Sequence, residues 1–562
     1  MSAAACEPAP ARVLPPMFCG GAAAAALVAA WWAQDGDGRQ ALLAAVLYWL
    51  MPLALALWLA AIARARAADG APIGAWLRAR AATAALAALF VGAVVLAMPA
   101  AMRMQFDETS LLGTAFGMHG ERAAWMPLGA LPTPAGVVVT DWNVDKRPPL
   151  WPFLVSVAHD VAGVRVGNAF AANAFVLWAL LALVGWRLRA AVGVAGGALA
   201  MALLAGLPLL ASCATSAGFE TLALALLAAA IVAAVDFARA PSAARANALL
   251  ATVLLGAQAR YESLPVLLAL LAAAVVVVGA RRWPRDRFGV WLLGAAPLLL
   301  APLALLAVHG RDASFYPEAQ GQDLVALAHF ADHVGPLLAA VFAWGPQPFA
   351  ALPTLLAVAA GLLALARPAA RGAVTAFVVA PVVVATAIAL LWFYGDVREN
   401  TAQRLFLPLA ALLALLPAFA CAAWRAPKLA AALLVAALAA GAWNLTALRA
   451  ERVLPRQAAA VMLDAVDAAL GGLRPEPART LLVSSVAQYL IVQGFAAITP
   501  QQWLARRPQL ADATEVVVLE TPLDAACRLQ AGDPRDVLAT RRAELLGEVP
   551  GRLRVAAWRL VR

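Results

Sequence analysis

Long apolar runs recur along this chain, and they constrain its fold more than any other feature of the sequence. Runs of about 17 to 25 apolar residues are long enough to cross a bilayer as α-helices. Of the 562 residues, 64% are apolar and 13% are charged, and soluble globular proteins do not need so many apolar residues. The sequence therefore predicts an all-α polytopic membrane protein with about thirteen transmembrane helices. The predicted spans lie near 17–33, 41–63, 81–101, 166–186, 190–210, 221–237, 246–260, 263–280, 288–308, 349–366, 372–393, 404–424 and 429–448.

Two parts of this pattern need a separate interpretation, the region 246–280 and the first run. We interpret 246–280 as two short helices broken at 258–262, because a single helix would place several polar groups at its centre. The first run has only Arg12 before it and no clear small-residue cleavage site. We therefore expect an uncleaved anchor there rather than a signal peptide.

The charges between the runs separate into two sets. One set of short loops is rich in arginine, and the other carries most of the acids and all five histidines. Because basic short loops stay in the cytoplasm, the pattern predicts an inner (plasma) membrane protein with a cytoplasmic N-terminus and an extracytoplasmic C-terminus. Topology then accounts for the net charge of +10, and no nucleic-acid partner is expected. The five scattered cysteines predict no disulfide framework.

The chain divides into two predicted domains. Residues 1–448 form the membrane domain, with a first large outer loop at 102–165. Residues 449–562 carry no spanning run and predict a small extracytoplasmic α/β domain. Its predicted strands are 480–484, 514–520 and 553–560, and its predicted helices are 488–493 and 534–546.

The first outer loop begins with two adjacent acids, Asp107 and Glu108, just past a predicted span. An acid half-buried at the membrane surface has a raised pKa and is suited to take a proton from a hydroxyl. The alternative is a pair of interfacial acids that are simply exposed to water. Position alone leaves both interpretations open.

The same loop ends with Lys146-Arg147-Pro148-Pro149. Adjacent prolines exclude a helix at the residue before them and favour the start of one at Pro149. Two cations beside a helix N-terminus are suited to bind a phosphate. The alternative is a turn that re-enters the membrane with snorkelling bases.

Further polar residues lie at predicted outer helix ends. Glu220 opens one helix, where an acid is also favourable on electrostatic grounds alone. Arg404 opens a later helix and opposes its dipole, so it needs a partner, either Asp396 or Glu399 or a bound anion. The break at 258–262 contributes three more polar residues, Arg260, Tyr261 and Glu262.

His329 and His333 are four residues apart and would share one face of a helix. This spacing fits a divalent metal site, and it equally fits structural or solvated histidines. No other cofactor is predicted.

Taken together, these motifs resemble the GT-C membrane glycosyltransferases, in particular the branch of protein O-mannosyltransferases and lipid A aminoarabinose transferases. The resemblance rests on Phe106-Asp107-Glu108, on Arg147-Pro148-Pro149-Leu150-Trp151-Pro152, on Glu220, and on the late Arg404-Leu405-Phe406-Leu407-Pro408. It covers most of the membrane domain in order, through short motifs.

The resemblance implies a GT-C-like fold and a transfer reaction on the extracytoplasmic face. The donor would be a polyisoprenyl-phosphate-linked sugar, and the acceptor a hydroxyl of a lipid, glycan or protein. Asp107 would be the general base, and Glu108 and Glu220 would position the substrates. The other substrate-binding candidates are Lys146, Arg147, Arg260, Tyr261, Glu262 and Arg404, with the cations as phosphate ligands.

Two other classes of function are compatible with the sequence. A transporter or flippase of a lipid-linked sugar would use the same anion-binding residues, although transporters often show inverted repeats and paired broken helices. A non-catalytic membrane scaffold would only present residues 449–562. The concentration of acids and bases before residue 410 favours the enzyme.

Overall fold

A computed structural model gives the architecture of most of the chain. It describes residues 25–26, 36–68, 70, 73–103, 105–279, 283, 286–299, 323–342, 373–450, 458–506, 514–521, 532–549 and 554–561.

The first half of the chain contains ten helices and one β-hairpin in the described residues. In chain order they are α1 (Gly36–Ala68), α2 (Ile73–Ala97), α3 (Gln105–Glu121), β1 (Trp125–Thr133), β2 (Gly136–Val144), α4 (Leu150–Ala162), α5 (Gly167–Val192), α6 (Val194–Ala205), α7 (Pro208–Ala214), α8 (Glu220–Arg239), α9 (Ala243–Gly256) and α10 (Ser263–Val278).

The second half of the described chain continues with helices and ends in a mixed sheet. Its elements are α11 (Arg287–Leu299), α12 (Leu327–Phe342), α13 (Ala373–Leu391), α14 (Asn400–Gln403), a 3₁₀ turn (Arg404–Phe406), α15 (Leu407–Trp424), α16 (Pro427–Arg449), α17 (Ala458–Leu473), β3 (Thr480–Val483), α18 (Ala487–Val492), β4 (Ala496–Ile498), α19 (Pro500–Arg506), β5 (Glu515–Glu520), α20 (Pro534–Leu538), β6 (Ala543–Val549) and β7 (Val555–Leu560).

The apolar helices identify an integral membrane protein. In the described part of the chain, six helices are long and apolar enough to cross a bilayer, and the pair α6–α7, bent by 74°, makes a seventh if it is one span. Six further apolar helices there are shorter, including α9 and α10. The predicted number of about thirteen spans is not confirmed. The run at 349–366, and nearly all of the run at 17–33, lie outside the described residues.

The described chain has two breaks inside apolar regions, one predicted and one not. The predicted break at 258–262 is observed, because α9 ends at Gly256 and α10 begins at Ser263. A second break, between Ala205 and Pro208, was not predicted. There the backbone of Gly206 approaches that of Gly441 in α16 so closely that a Cβ atom at Gly206 would lie 2.7 Å from the Gly441 Cα atom. A side chain at this crossing would separate the two helices.

The first outer loop is folded, and it contains a β-hairpin that the all-α expectation did not include. β1 and β2 pair antiparallel from Trp125↔Val144 to Thr133↔Gly136. The hairpin packs on α3 at Gly117, where a Cβ atom would lie 1.9 Å from the Trp125 carbonyl oxygen. The close approach of α3 and β1 therefore requires a glycine at this position.

The C-terminal region contains a five-stranded sheet in the order β4-β3-β5-β7-β6. β3 is parallel to β4 and β5, whereas β7 is antiparallel to β5 and β6. The helix predicted over 534–546 is wrong beyond Leu538, because residues from Ala543 onward pair with β7. Pairing within the sheet outweighs the helical preference of the leucines and glutamates in this segment.

This sheet rests on the first outer loop. Leu131 and Val137 of the hairpin pack against the buried apolar cluster of the sheet, which includes Leu481 and Val518. On α3, Ser110 donates a 3.3 Å hydrogen bond to Gln488. The C-terminal region therefore lies over the same loop that carries the acid pair.

Candidate functional site

Acids and arginines alternate along one continuous chain of ion pairs beside the first outer loop. Arg147 pairs with Asp145 at 2.7 Å, and Arg404 pairs with Glu220 at 2.8 Å. Asp107 bridges these two arginines, since one carboxylate oxygen accepts from Arg147 and the other from Arg404. At the far end Arg260 lies 3.9 Å from Glu220 and 3.1 Å from Glu262. We refer to this set as the ion-pair chain; its order is Asp145, Arg147, Asp107, Arg404, Glu220, Arg260 and Glu262.

The ion-pair chain joins parts of the sequence that lie far apart. Arg147 is 40 residues from Asp107, and Arg404 is 297 residues from it. Six of the seven members were predicted as site residues. Asp145 was not, although it stands two residues before Arg147 in the same motif. Its buried side chain gives one oxygen to Arg147, and the other oxygen has no partner in the described part of the structure.

The expectation that Asp107 has a raised pKa is wrong. Burial alone would raise the pKa of Asp107, but the charges and hydrogen bonds of Arg147 and Arg404 outweigh it and hold the pKa well below its usual range. From its place in the sequence alone, Asp107 was expected to be an isolated half-buried acid. The fold instead surrounds it with two cations from other segments, which favour the carboxylate form.

Glu108 has the opposite environment. Burial, followed by the charge of Glu220, raises the pKa of Glu108 to about 7. Its carboxylate accepts hydrogen bonds from the backbone N–H of Arg103 at 2.8 Å and of Ala217 at 3.3 Å. Glu108 therefore connects the start of α3 to the turn that precedes α8.

That turn, residues 215–219, is held by side chains that the sequence analysis did not assign. Asn173 donates to the carbonyls of Ser216 at 2.7 Å and Gly218 at 2.8 Å. The indole of Trp151 donates to the Ala217 carbonyl at 2.8 Å. Buried backbone carbonyls need such partners, and these contacts fix where α8 begins, and so where Glu220 lies.

The basic motif and the break between α9 and α10 are joined by hydrogen bonds. The Tyr261 hydroxyl donates to the Lys146 carbonyl oxygen, and the Leu150 backbone N–H donates to the Gln258 carbonyl oxygen at 3.3 Å. α4 begins at Leu150, one residue after the predicted start at Pro149. Tyr261 therefore contacts the backbone of the basic motif.

The partner predicted for Arg404 within its own segment is wrong. Asp396 instead pairs with Arg398 through a 2.9 Å contact. Arg404 reaches Asp107 and Glu220, which come from α3 and α8. Asp396 was the expected partner because it is near Arg404 in the sequence. The packing of α15 against α8 instead places Arg404 beside Asp107 and Glu220.

An apolar cleft opens beside the ion-pair chain, with about 660 Å³ of empty space that includes its open side. Glu220, Arg260, Glu262 and Arg404 form the polar part of its lining. The apolar part includes Leu224, Leu227, Val266, Leu267, Ala385, Ile388, Ala389 and Trp392. One cleft therefore offers cations next to a long apolar surface.

His329 and His333 lie in α12 with their ring centroids 6.0 Å apart. A nitrogen of each ring lies within hydrogen-bond distance of a backbone carbonyl, of Asp323 at 2.8 Å and of Leu390 at 3.1 Å. In the described residues, no group of three or more His, Cys, Asp or Glu side chains is arranged to hold a metal ion. The geometry there fits the structural interpretation of the two histidines.

Comparison with solved structures finds a structural likeness. No protein-family model matches the chain, and no curated protein matches it. Among solved structures it is similar to ArnT from Cupriavidus metallidurans bound to undecaprenyl phosphate, at 12% identity and a TM-score of 0.41, over 86% of this chain and 98% of that one. The apo state of the same ArnT gives 12% identity and a TM-score of 0.40, over 87% and 98%.

Proposed function

We propose that this protein is a membrane glycosyltransferase. It moves a sugar from a polyisoprenyl-phosphate donor to an acceptor hydroxyl on the extracytoplasmic face, with inversion at the sugar C1. The observation that carries the proposal is the position of Asp107, a carboxylate held between Arg147 and Arg404 next to an apolar cleft. The motif resemblance described above points to the same reaction class.

The cleft suits the two halves of a lipid-linked donor. Its apolar wall matches a polyisoprenyl chain, and Arg260 and Arg404 lie in the polar part of the lining. One guanidinium group can donate two parallel hydrogen bonds to the oxygens of a phosphate. Arg147 contacts Asp107, which also contacts Arg404, so Arg147 lies near the same cleft. Asp145 pairs with Arg147 and orients it. Lys146, Tyr261 and Glu262 complete the proposed substrate-binding set.

The proposed reaction needs a base near the acceptor hydroxyl and cations near the leaving phosphate. Asp107 takes the proton of the acceptor hydroxyl, whose oxygen then forms the new bond to C1. The bond from C1 to the phosphate oxygen breaks, and the lipid phosphate leaves with the electron pair. Fixed guanidiniums stabilise the charge that develops on this leaving group. Glu108 and Glu220 hold the surrounding backbone and cations in place.

The ion-pair chain suggests how donor binding activates the base. With two arginines on its oxygens, Asp107 is a weak base, because its pKa is held low. A donor phosphate competes with Asp107 for the same two guanidiniums. As they turn to the phosphate, the pKa of Asp107 rises, since burial remains and part of the positive charge is withdrawn. We therefore propose that Asp107 becomes an effective base only after the donor is bound.

The orientation belongs to the same proposal. The site lies at the N-terminal ends of α8 and α10 and of the turn before α15. The arginine-rich ends of the helices lie at the other side, which the positive-inside rule assigns to the cytoplasm. We propose an inner (plasma) membrane protein with its N-terminus in the cytoplasm, and with the C-terminal sheet and the ion-pair chain outside.

One observation favours a second candidate, a transporter or flippase of a lipid-linked sugar. Two apolar regions are broken, between α6 and α7 and between α9 and α10. Discontinuous helices are frequent in transporters, where substrates bind near the middle of the membrane. Here the acids and arginines cluster at helix N-termini rather than midway along the helices, which favours the transferase.

Reconstituted protein distinguishes the two candidates. Full-length protein in liposomes would receive polyisoprenyl-phosphate sugar carrying a radiolabel in the sugar, and released lipid phosphate and labelled acceptor would be measured. Lipids that co-purify would be identified by mass spectrometry to select the donor. Transfer of label to an acceptor, lost in Asp107→Asn, is the expected result. Movement of intact labelled lipid between leaflets without cleavage would overturn the enzyme in favour of the transporter.

A further inference from the structure

A second concentration of charge lies away from the ion-pair chain, and arginines and tryptophans alternate in it. The Arg80 guanidinium lies over the Trp76 ring at 4.1 Å and over the Trp186 ring at 3.9 Å from the centroids. Arg66 lies 5.3 Å from the Trp76 ring, and Arg187 lies 4.8 Å from the Trp186 ring. These five residues, from α1, α2 and α5, form what we call the arginine–tryptophan stack.

The stack is at the opposite membrane surface from the proposed catalytic site. Arg187 pairs with Asp236 in α8, and α8 begins at Glu220 of the ion-pair chain. Sixteen residues of α-helix separate these two acids, a distance of about 24 Å at 1.5 Å per residue. α2 shows the same relation, because Trp76 and Arg80 lie near its start, whereas its end leads into the first outer loop.

The stack holds like charges close together. Each of the two rings contacts two guanidiniums, and cation–π contacts stabilise such positions. Asp236 pairs with Arg187, but no carboxylate among the described residues pairs with Arg80, whose Nη1 donates to the Trp76 carbonyl at 3.0 Å. The buried Nε of Arg80 has no acceptor within the described part of the chain. An anion at this position would reduce the repulsion and accept a hydrogen bond.

The residues around the stack indicate that the anion is a lipid headgroup. Tryptophan at the end of a spanning helix is typical of the headgroup level of a bilayer. Leu77, beside Trp76, is 56% exposed, on the side of the helix bundle that faces the acyl chains of the bilayer. Basic pockets between transmembrane helices bind the phosphates of anionic lipids.

We propose that the arginine–tryptophan stack is a binding site for the phosphodiester headgroup of an anionic phospholipid in the leaflet opposite the catalytic site. Arg80 is its central ligand, oriented by the two indole rings, and Arg66 and Arg187 contribute charge from either side. The inference does not depend on the proposed reaction, because the site lies on different helix ends and its ligand is a structural lipid.

Lipid retention tests this site directly. Full-length protein would be equilibrated with equal amounts of phosphatidylglycerol and phosphatidylcholine, and the retained lipid measured by native mass spectrometry. Wild-type protein should retain phosphatidylglycerol preferentially, and its melting temperature in detergent should rise when that lipid is added. Arg80→Gln should weaken retention by about fivefold or more, since one arginine near an anionic surface contributes about that factor.

Matched variants separate this site from general surface charge. Arg78 lies two residues from Arg80 on the same helix, is exposed, and makes none of the stack contacts, so Arg78→Gln should leave retention unchanged. Trp186→Leu keeps every charge but removes one ring, and it should also lower retention. Equal retention by wild type and both Arg80→Gln and Trp186→Leu would overturn the proposal. An equal rise in melting temperature with inorganic phosphate would overturn the assignment to a lipid.

Discussion

The Glu108 carboxylate accepts a hydrogen bond from the backbone N–H of Ala217, 109 residues later in the chain. Through this contact the first turn of α3 is fixed to the turn before α8. The acid that makes the contact is itself buried, and its pKa is raised to about 7. The junction between the two segments is therefore sensitive to protonation.

This sensitivity predicts a pH dependence of stability. The folded protein holds the Glu108 proton up to about pH 7, whereas an unfolded glutamate releases its proton near pH 4.3. Stability from this group is therefore fully present below about pH 4.3 and is lost as pH rises to about 7, a change on the order of 3 kcal/mol. Thermal unfolding of the purified protein across this range should show the decline.

Two variants check the assignment to Glu108. Glu108→Gln cannot ionise, so its stability should be nearly constant over the same pH range. Glu121→Gln, at the exposed end of the same helix, should keep the wild-type decline. An unchanged decline in Glu108→Gln would show that another group is responsible.

Asp107→Asn should separate catalysis from binding. The amide keeps the shape of the side chain but does not take a proton, so turnover should fall by about 10²–10⁴-fold. Because the variant removes the charge that competes for Arg147 and Arg404, it should bind the product lipid phosphate more tightly, by about tenfold. Turnover and lipid-phosphate affinity would both be measured.

Asp141→Asn is the matched control, since Asp141 lies in the same outer loop but pairs with Arg506 of the C-terminal region. It should change neither quantity appreciably. If Asp107→Asn retained turnover while Glu108→Gln or Glu220→Gln did not, the base would be misassigned. Normal transfer by all three would contradict the glycosyltransferase proposal.

Arg404 should be necessary for donor binding. A charged hydrogen bond to an anion is worth about 1.5–3 kcal/mol, so Arg404→Ala should weaken donor affinity by roughly tenfold or more. Arg404→Lys keeps the charge and loses the paired geometry, and should be intermediate. Arg398→Ala removes an exposed arginine paired with Asp396 and should bind donor normally. Normal binding by Arg404→Ala would make Arg404 a purely structural residue.

Gly117 should be required for the hairpin to pack on α3. A Cβ atom there would lie 1.9 Å from the Trp125 carbonyl oxygen, which is backbone and has little freedom to move. Gly117→Ala should therefore destabilise the protein by about 1–3 kcal/mol through overpacking. Gly120→Ala, one turn later with nothing within 4 Å, should be neutral or slightly stabilising. Thermal unfolding of both variants gives the comparison, and equal melting temperatures would contradict the packing.

Cysteine labelling tests the orientation. Ala135 is exposed at the tip of the hairpin, and Ala190 is exposed near the end of α5. In intact cells, Ala135→Cys should react with an impermeant thiol reagent, and Ala190→Cys should react only after the membrane is opened. The reverse pattern would place the ion-pair chain in the cytoplasm and exclude a donor sugar facing outward.

The sequence predicted which segments of the site carry charged residues better than it predicted which residues form ion pairs with each other. Arg404 needed a partner because it opposes a helix dipole, and this was correct in kind. The partners, Asp107 and Glu220, come from the packing of three helices, which no local pattern contains. For the same reason the pKa of Asp107 was predicted in the wrong direction.

Features set by neighbouring residues were predicted from the sequence, and features set by distant contacts were not. The two prolines before Leu150 restrict the backbone directly, so the start of α4 was predicted to within one residue. The segment from Ala543 has helical composition, and only its pairing with β7 makes it a strand. The role of Asn173 was not predicted, because the carbonyls to which it donates lie about 40 residues later in the chain.

The 297 residues between Asp107 and Arg404 also set an order of events during synthesis. At about 5–20 residues per second, the ribosome makes Arg404 roughly 15 to 60 seconds after Asp107. During that time the carboxylates of Asp107 and Glu220 lack the cation that later joins them. The centre is therefore completed only when one of the last membrane helices is inserted, and a chain that stops earlier cannot assemble it.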